Sequence, residues 1–519
     1  MSYRAHPAPA PLLFGYDPVR DLHPNHLAYL VDKVVEESIT LLYKPNRPGQ
    51  PAFDPRLCAK VLIYGYATGM RSSRQLERLC QESLPFLLLT RGDTVSYRTL
   101  CSFRVQQADT IKEIWVGLFA VAKEAGLTRL GRIVIDSSKI RADSSPEAVI
   151  KECEYDTVIE ELSKILEEAE STDTKEDQEP AATTLLSKKV DVDQMREILR
   201  RVRKQISKSK SSKPSNETVS QGEEPSELGP RMIPRVIQAI QTLEEAKEEG
   251  RKHACLTDPD ARMMGEGREK RVRECHSFEV VVDNELLVVG QTCQSAVDNP
   301  RLVPLIEAAK KQEPDGITAV DTDSGYYSGD TIADLSEQGL DICIPTPHTA
   351  CDLHKHQPVG TTREKVVGSV AFTYDEVSNS YTCPEGNTLA YQHTVPNKGQ
   401  QMRVYKAQNS CADCPLRAAC GCRPKSAYRT ISIGINHEIL QAIQDRFNDP
   451  EHVERYNQRG NAVETVFGFL RSVLGFNRWS VRGKKRVAAE AELFNAALQF
   501  RKVHTHLMKV RLASLKQAA

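Results

Sequence analysis

The chain has 519 residues, of which 40% are hydrophobic and 27% charged, and its formal net charge is −1. These values are ordinary for a soluble globular protein of two to four domains, and the overall charge gives no indication of a nucleic-acid partner. No apolar run approaches the roughly 18 residues of a membrane span, and the N-terminus lacks the pattern of a secretory signal. We therefore expect a cytoplasmic protein whose 14 cysteines are mostly reduced.

The first 127 residues predict an all-α domain. The stretch DPRLCAKVLIYGYATG has Pro directly after its first Asp and Gly at its end, which are start and stop signals of a helix. SSRQLERLCQE follows with a serine cap, and one or two further helices run to Gly126. Helical domains of this kind often place one helix on DNA, although they also serve many other purposes.

From residue 128 onward the pattern predicts an α/β domain that continues to residue 519. GRIVIDSS is a strand, FEVVVDNELLVVGQTCQ a hairpin, and ITAVDTD and LDICIPTP are strands separated by helices. This is the strand order of a ribonuclease H-like fold, interrupted by two insertions. The first, at 145–255, is charge-dense, helical and partly disordered, and the second, at 348–450, contains a cysteine cluster.

Three carboxylates suggest a metal-dependent active site. Asp136 ends the first strand and Asp323 the fourth, and in this fold the two strands lie near each other. Asp321 is a rival to Asp323, since both face the same side of an ideal strand. A site with two divalent ions needs a further oxygen ligand, and Glu464 on a predicted helix is the candidate, with a surface ion pair as the alternative interpretation. Four lesser candidates suit turns or helix caps: Asp143, Asp258, Asp260 and Asp298.

The C-terminal segment is basic, with 13 Lys and Arg against 5 Asp and Glu from residue 451 onward. Such a segment in a neutral chain indicates a local anion-binding surface, although a solvated helix face is an equally simple interpretation. Trp479 could stack on an unpaired base or belong to the core. The candidate DNA-binding residues are Tyr456, Arg459, Arg471, Arg478, Trp479, Arg482, Lys484 and Lys485.

A cysteine cluster lies between Asp323 and Glu464 in the sequence. A CPxG element is followed by CxxC and two more cysteines, which resembles a structural zinc site with four thiolate ligands. The predicted ligands are Cys383, Cys411, Cys414 and Cys420. Metal-free reduced thiols on a loop-rich insertion are the alternative.

Several motifs resemble those of bacterial DDE transposases of the insertion-sequence 4 superfamily, and most closely those of insertion-sequence family 1182. VIDSSKIRADSS, VDTDSGYYS and AVETVFGFLR resemble the segments that hold the three catalytic acids, which map to Asp136, Asp323 and Glu464. GQPAFDPRLCAKVLIYGYATGMRSSRQLERLCQES resembles the N-terminal helical domain of the same enzymes. Tyr456 and Arg459 resemble the superfamily's Tyr-Arg-Glu-Lys signature, in which Arg471 stands where Lys is usual.

The resemblance implies a ribonuclease H-like catalytic core that uses two Mg²⁺ or Mn²⁺ ions for DNA cleavage and strand transfer. The implied partners are the terminal inverted repeats of an insertion sequence and target double-stranded DNA, bound by a homodimer in the nucleoid of a bacterial cytoplasm. Two other functions stay open on the sequence: a catalytically inactive DNA-binding descendant, and a ribonuclease H-like nuclease that does not join strands.

Overall fold

A computed structural model describes most of the chain. The described residues are 18–39, 53–127, 131–176, 233–266, 271–294, 301–312, 316–355, 372–375, 377–397, 400–420 and 426–518. The disorder predicted within the insertion at 145–255 falls on residues outside these ranges, as does Asp298.

The N-terminal region is helical, as predicted. Its helices are α1 (Pro18–Asp21), α2 (Leu27–Ser38), α3 (Pro55–Ala67), α4 (Ser73–Glu82), α5 (Leu84–Thr90), α6 (Tyr97–Gln106) and α7 (Ala108–Glu124). Asp54 caps α3 by accepting the N–H of Arg56 at 2.8 Å, with Pro55 at the first helical position. Every residue of α3 from Leu57 onward is buried, so this helix forms the centre of the region.

Strands and helices alternate in the middle of the chain. The elements in order are β1 (Arg132–Arg141), β2 (Val149–Lys151), α8 (Tyr155–Glu176), α9 (Ile233–Glu248), β3 (His253–Cys255), β4 (Arg262–Glu266), β5 (Arg271–Val282), β6 (Val288–Gln294), α10 (Leu302–Lys310), β7 (Ala319–Thr322), α11 (Gly329–Glu337), β8 (Asp341–Cys343) and α12 (Pro347–His354). The predicted hairpin, helix, strand, helix and strand after residue 270 are all observed.

The C-terminal part contributes a second sheet and two long helices. Its elements are β9 (Thr373–Asp375), β10 (Ser380–Thr382), β11 (Thr388–Asn397), β12 (Gln400–Ala407), β13 (Thr430–Gly434), α13 (His437–Asp445), α14 (Pro450–Ser472) and α15 (Lys484–Ala518). The strands β9 to β13 form an antiparallel meander with a small core of its own. The insertion helices α8 and α9 likewise pack with β2 and β3 around a separate apolar cluster.

The central sheet is mixed and has the order β4-β5-β1-β7-β8, with β6 also pairing with β5. β1 runs parallel to β7 and β7 parallel to β8, whereas β5 is antiparallel to β1. The predicted α/β sheet is therefore observed, and β1 lies at its centre with β7 beside it. The carboxyl ends of these parallel strands meet at one edge of the sheet.

Helix α15 joins the N-terminal helices to the sheet. It packs against α3, α7 and β6, and one hydrophobic core extends from Ala28 to Val503. Its first turn is capped from a distant segment, since Asp258 accepts the N–H of Gly483 at 3.1 Å and Asp260 that of Lys484 at 2.7 Å. The predicted capping role of these two aspartates is confirmed, and it anchors the start of α15 against the segment between β3 and β4.

Candidate active site

Asp136 and Asp323 lie at the same level of two neighbouring parallel strands. In the register of β1 and β7, Ile135 is the partner of Thr322; Asp136 directly follows Ile135, and Asp323 directly follows Thr322, the last residue of β7. Partnered residues of adjacent strands project their side chains to the same face of the sheet. The two carboxylates therefore share one face and one edge, as the sequence predicted for strands that lie side by side.

The Asp323 side chain is held at the point where the backbone leaves β7. Its backbone is still extended, and the residue caps the short 3-10 turn Ser324–Tyr326. The Asp323 Oδ1 atom accepts the N–H of Gly325 at 3.0 Å. This hydrogen bond fixes the orientation of the carboxylate toward the end of the strand.

The environment of Asp136 disfavours its charged form. Burial raises the pKa of this carboxyl to about 6; the Arg459 guanidinium lowers it, and the Asp323 carboxylate raises it again. The backbone N–H of Ser137 also donates to Asp136 Oδ1 at 2.7 Å. Two carboxylates that repel each other in a poorly solvated site gain from a shared cation, which is a common reason for such pairs to bind divalent metal ions.

Arg459 supplies the positive charge next to this pair. It extends from α14, and its Nη1 donates to Asp136 Oδ2 at 2.9 Å. Its guanidinium lies 5.2 Å from the centre of the Tyr456 ring, and burial and nearby Asp323 raise the pKa of Tyr456. Tyr456 and Arg459, two of the residues predicted to bind DNA, therefore face the aspartate pair from the same helix.

Asp321, the rival candidate on the sequence, is occupied by two arginines. Its side chain is fully buried and accepts Arg132 Nε at 2.5 Å and Arg455 Nε at 3.0 Å. Arg455 also pairs with Asp341 at the start of β8. Asp321 thus ties β1, β7, β8 and α14 together, a role that differs from that of a solvent-accessible metal ligand.

Arg132 and Arg455 are the residues of this region that the sequence interpretation missed. The available signal was the spacing of Arg455 and Arg459, because residues four apart lie on the same face of a helix. Arg132 gave no signal, since its partner Asp321 is 189 residues away in the chain.

Glu464 lies on the same helix, in an exposed position. At about 100° per residue, it lies within about 20° of Arg471 around the axis of α14. Arg471 reaches the sheet, because its Nη2 donates to Ser138 Oγ at 2.6 Å, and Ser138 follows Asp136 by two residues on the same face of β1. Glu464 therefore lies on the helix between Arg459, which contacts Asp136, and Arg471, which contacts Ser138.

The three acids do not form a compact ligand set in this conformation. Within the part of the chain that the structure describes, no group of three or more His, Cys, Asp or Glu side chains is arranged to hold a metal ion. Asp136 and Asp323 are neighbours, and the Glu464 side chain makes no hydrogen bond or ion pair with a described residue. The site as described is a carboxylate pair neutralised by Arg459, with a third carboxylate on the adjoining helix.

Two of the predicted DNA-binding arginines are engaged by an aspartate. Arg478 Nη2 and Arg482 Nε donate to the two oxygens of Asp143 at 2.8 and 2.9 Å. Arg478 also donates to the carbonyl oxygens of Ala142 and Ser144. These contacts hold the segment before α15 against the end of β1, so both arginines have a structural role, although nearly half of each side chain remains exposed.

Trp479 is a core residue, which is one of the two interpretations that the sequence left open. Its side chain is 1% exposed, and it packs edge-on against Phe278 and Phe476. An aromatic ring buried in this way has no face available to a nucleic acid. Lys484 and Lys485, in contrast, are exposed at the first turn of α15.

The four cysteines predicted to bind zinc come together. Cys383, Cys411, Cys414 and Cys420 all line one pocket beside the sheet of β9 to β13. None of the four forms a disulfide. The fifth cysteine of the cluster, Cys422, lies outside the described residues.

Comparison with protein families gives two matches. Residues 382–504 match the family described as Transposase DDE domain, and residues 18–106 match the family described as Transposase domain (DUF772). Together they support a DDE transposase, which is a DNA-processing enzyme. The first match contains Glu464 and the four cysteines, whereas Asp136 and Asp323 lie outside both matched ranges. The chain matches none of the curated proteins with which it was compared.

No described helix combines the length and the apolar composition that crossing a membrane requires.

We expect Arg459→Ala to lower DNA cleavage by about 10–100-fold, because Asp136 is predicted to bind a metal ion and this is the usual effect of removing a group that hydrogen-bonds to such a carboxylate. Arg459→Lys should keep part of the activity, because it retains the positive charge but loses the planar guanidinium. Gln458→Ala, on the exposed side of the same helix, is the control. Cleavage rates of the three variants at saturating divalent ion would test this, and equal rates for Arg459→Ala and Gln458→Ala would exclude the role.

Proposed function

We propose that the protein is a DDE transposase that cleaves DNA at the ends of an insertion sequence and joins those ends to a new site. The observation that carries the proposal is the register of β1 and β7, in which Asp136 and Asp323 occupy equivalent positions at one edge of the sheet. The two transposase-family matches support the same function. Glu464 is the third acid of the proposed site.

The topology of the central sheet supports a ribonuclease H-like core. In that fold the first strand has an antiparallel hairpin on one side and two parallel strands on the other. Here β5 and β6 form the hairpin, β5 pairs with β1, and β7 and β8 are the two parallel strands. The insertion at 145–255 separates β1 from β5, and the one at 348–450 separates β8 from α14. Asp136, Asp323 and Glu464 therefore all lie outside the two insertions.

The chemistry of the side chains suits Mg²⁺ or Mn²⁺. Both ions prefer carboxylate oxygens, and Mg²⁺ keeps several waters and often uses only one or two carboxylates together with substrate phosphates. Asp136, Asp323 and Glu464 would hold the ions. When bound, two such ions activate the attacking oxygen and stabilise the leaving oxygen of a phosphodiester.

The residues of the chain itself orient these groups. The N–H of Ser137 and the Arg459 guanidinium fix the Asp136 carboxylate, and the N–H of Gly325 fixes that of Asp323. Arg459 would also contact a phosphate of the bound DNA. Preorganised groups of this kind lower the cost of reorganisation during the reaction.

DNA would lie along the face of α14 and the start of α15. Tyr456 and Arg459 face the carboxylates, while Arg471, Lys484 and Lys485 are exposed and basic. Contacts of this type are mainly to phosphates, so we expect binding to weaken steeply as salt is added. The N-terminal helices and the C-terminal helices together would recognise the terminal inverted repeats.

The test is a cleavage assay on labelled DNA that flanks the gene of this protein, with Mg²⁺, with Mn²⁺ and with a chelator. The expected products are cleaved ends and joined molecules, both dependent on the divalent ion. Nicked DNA without any joined product would identify a nuclease instead. Binding without cleavage under all three conditions would identify an inactive DNA-binding protein.

A further inference from the structure

The four cysteines around the pocket are contributed by two separate segments. Cys383 follows β10, while Cys411, Cys414 and Cys420 belong to the loop after β12. All four side chains are partly buried and line the same pocket. Thiols that are distant in the sequence and converge on one space have a shared role more often than an independent one, and in a reducing compartment that role is usually metal binding.

The turn that carries Cys383 directs one backbone hydrogen bond at its sulfur. The N–H of Cys383 donates to the carbonyl of Asn387 at 3.0 Å, and the N–H of Asn387 donates to Cys383 Sγ at 3.3 Å. Gly386 has φ +74°, a left-handed conformation that favours glycine. A backbone N–H that donates to the sulfur would hold this side chain in place as a metal ligand.

Asn387 connects this turn to the second segment. Its side chain donates to the carbonyl of Asn409 at 2.9 Å and to Cys411 Sγ at 3.6 Å, and it accepts the N–H of Asn409 at 3.1 Å. The two cysteine-bearing segments are therefore held side by side without a covalent link. This is the arrangement in which one ion could be ligated from both.

The sheet beside the pocket has little apolar core. Its apolar cluster in the described part of the chain has four buried residues, Tyr381, Leu389, Tyr405 and Ala407, against which six partly buried side chains pack: Phe372, Tyr374, Cys383, Cys411, Ile431 and Ile433. A cluster of this size contributes little stability, and small segments of this kind usually need a metal ion or disulfides. Disulfides are absent among the described cysteines.

Positive charge near the pocket would balance the ligands. Arg417 and Arg429 both line it, and Arg417 also donates to the carbonyl oxygens of Cys411 and Ser426 at 2.9 and 3.0 Å. Four thiolates around a divalent ion carry two net negative charges, so neighbouring guanidinium groups stabilise the complex.

We propose that Cys383, Cys411, Cys414 and Cys420 bind one Zn²⁺ ion that fixes the loop after β12 to the turn after β10. Zn²⁺ favours four thiolates in a tetrahedral arrangement. In the described conformation, no three of these four thiols are arranged to hold an ion. Binding of the ion therefore requires the thiols to turn toward the centre of the pocket. The site is structural and separate from the carboxylates of the proposed active site. Carboxylates, unlike thiolates, do not select Zn²⁺ over other divalent ions.

The first experiment measures zinc in the purified full-length protein by mass spectrometry of the metal. We expect about one Zn²⁺ per chain, as in structural sites with four cysteines. Cys383→Ser, Cys411→Ser, Cys414→Ser and Cys420→Ser should each lower the zinc content severalfold, whereas the control Cys101→Ser, at an exposed cysteine of α6, should leave it unchanged. Equal zinc content in Cys414→Ser and Cys101→Ser, or no zinc in the wild type, would overturn the proposal.

A second experiment needs no variant and so does not depend on the folding of the mutants. A chelator should make four additional thiols of the native wild-type protein reactive toward a thiol reagent, and Zn²⁺ should protect them again. Replacement by Co²⁺ should produce the absorption bands of tetrahedral cobalt thiolate. The absence of both effects would contradict the site.

The variant Asp136→Asn, for which we expect loss of cleavage, separates this proposal from the proposed function. It should keep its full zinc content, because the zinc ligands are thiols. Loss of zinc in Asp136→Asn would show that the bound ion belongs to the carboxylates, and the thiolate site would be rejected.

Discussion

Asp136→Asn and Glu464→Gln are each expected to lower DNA cleavage by more than about 100-fold, since even the loss of a group that only supports a metal ligand costs about 10–100-fold. Both substitutions keep the size of the side chain and remove the negative charge. Asp136 Oδ1 accepts a backbone N–H and Oδ2 accepts Arg459, so an amide can keep one of these contacts. Binding to an end fragment should stay within a few-fold of the wild type, because most of that affinity comes from contacts to phosphates.

Exposed carboxylates outside the proposed site provide a control for each of these two substitutions. Glu454→Gln changes an exposed glutamate of α14 whose side chain accepts a hydrogen bond from Gln458, and Asp334→Asn changes an exposed aspartate of α11. Both controls should cleave at the wild-type rate. If Glu464→Gln cleaved as fast as Glu454→Gln, Glu464 would not belong to the site, and a different third ligand would be needed.

The order of elements in the core could be predicted because its signals are local. Apolar runs that end in Asp or Gly, such as the one before Asp136, define strands, and Pro after Asp54 defines the start of a helix. The alternation of these elements then restricts the topology to few possibilities. The sequence also predicted that Asp136 and Asp323 would be neighbours, because two adjacent parallel strands bring their carboxyl ends to one edge.

The partners of individual charged residues could not be predicted in the same way. Asp143 pairs with Arg478 and Arg482, which lie more than 330 residues later, and nothing in the local sequence distinguishes this pairing from exposure to DNA. Trp479 shows the same limitation for an aromatic residue. Its local pattern is polar and basic, yet it is buried through contacts with Phe278 on a distant strand.

The cysteine cluster shows where spacing alone is informative. CPxG and CxxC are short motifs whose geometry is set by the local backbone. Because Cys411, Cys414 and Cys420 lie in one loop, the convergence of these three thiols is largely a local property. The contribution of Asn387, which connects the two segments through Asn409 and Cys411, required the structure. Asn is common in turns, and its side-chain partners are not encoded nearby.

Substitution of Asp321 in β7 is expected to reduce stability, whereas substitution of Asp323 at the end of the same strand is expected to reduce activity. Asp321→Asn should lower the free energy of unfolding by about 3 kcal/mol, because breaking a buried ion pair leaves its partner charges uncompensated. In this case the partners are Arg132 and Arg455, whose side chains are 24% and 19% exposed. Because of this partial exposure, we expect a loss of unfolding free energy at the lower end of the range that is usual for breaking buried ion pairs. Loss of Asp321 also removes the contact that joins β1, β7 and α14.

Asp323→Asn is the matched comparison, since the same chemical change is made two residues later on the same face of the sheet. Asn retains an oxygen that can accept the N–H of Gly325, and its neutral side chain removes the repulsion from Asp136. Its stability should therefore change by less than about 1 kcal/mol, while cleavage should fall as far as in Asp136→Asn. Denaturant unfolding and cleavage, measured on both variants, distinguish the two roles. An active and strongly destabilised Asp323→Asn, together with a stable and inactive Asp321→Asn, would reverse them and make Asp321 the metal ligand.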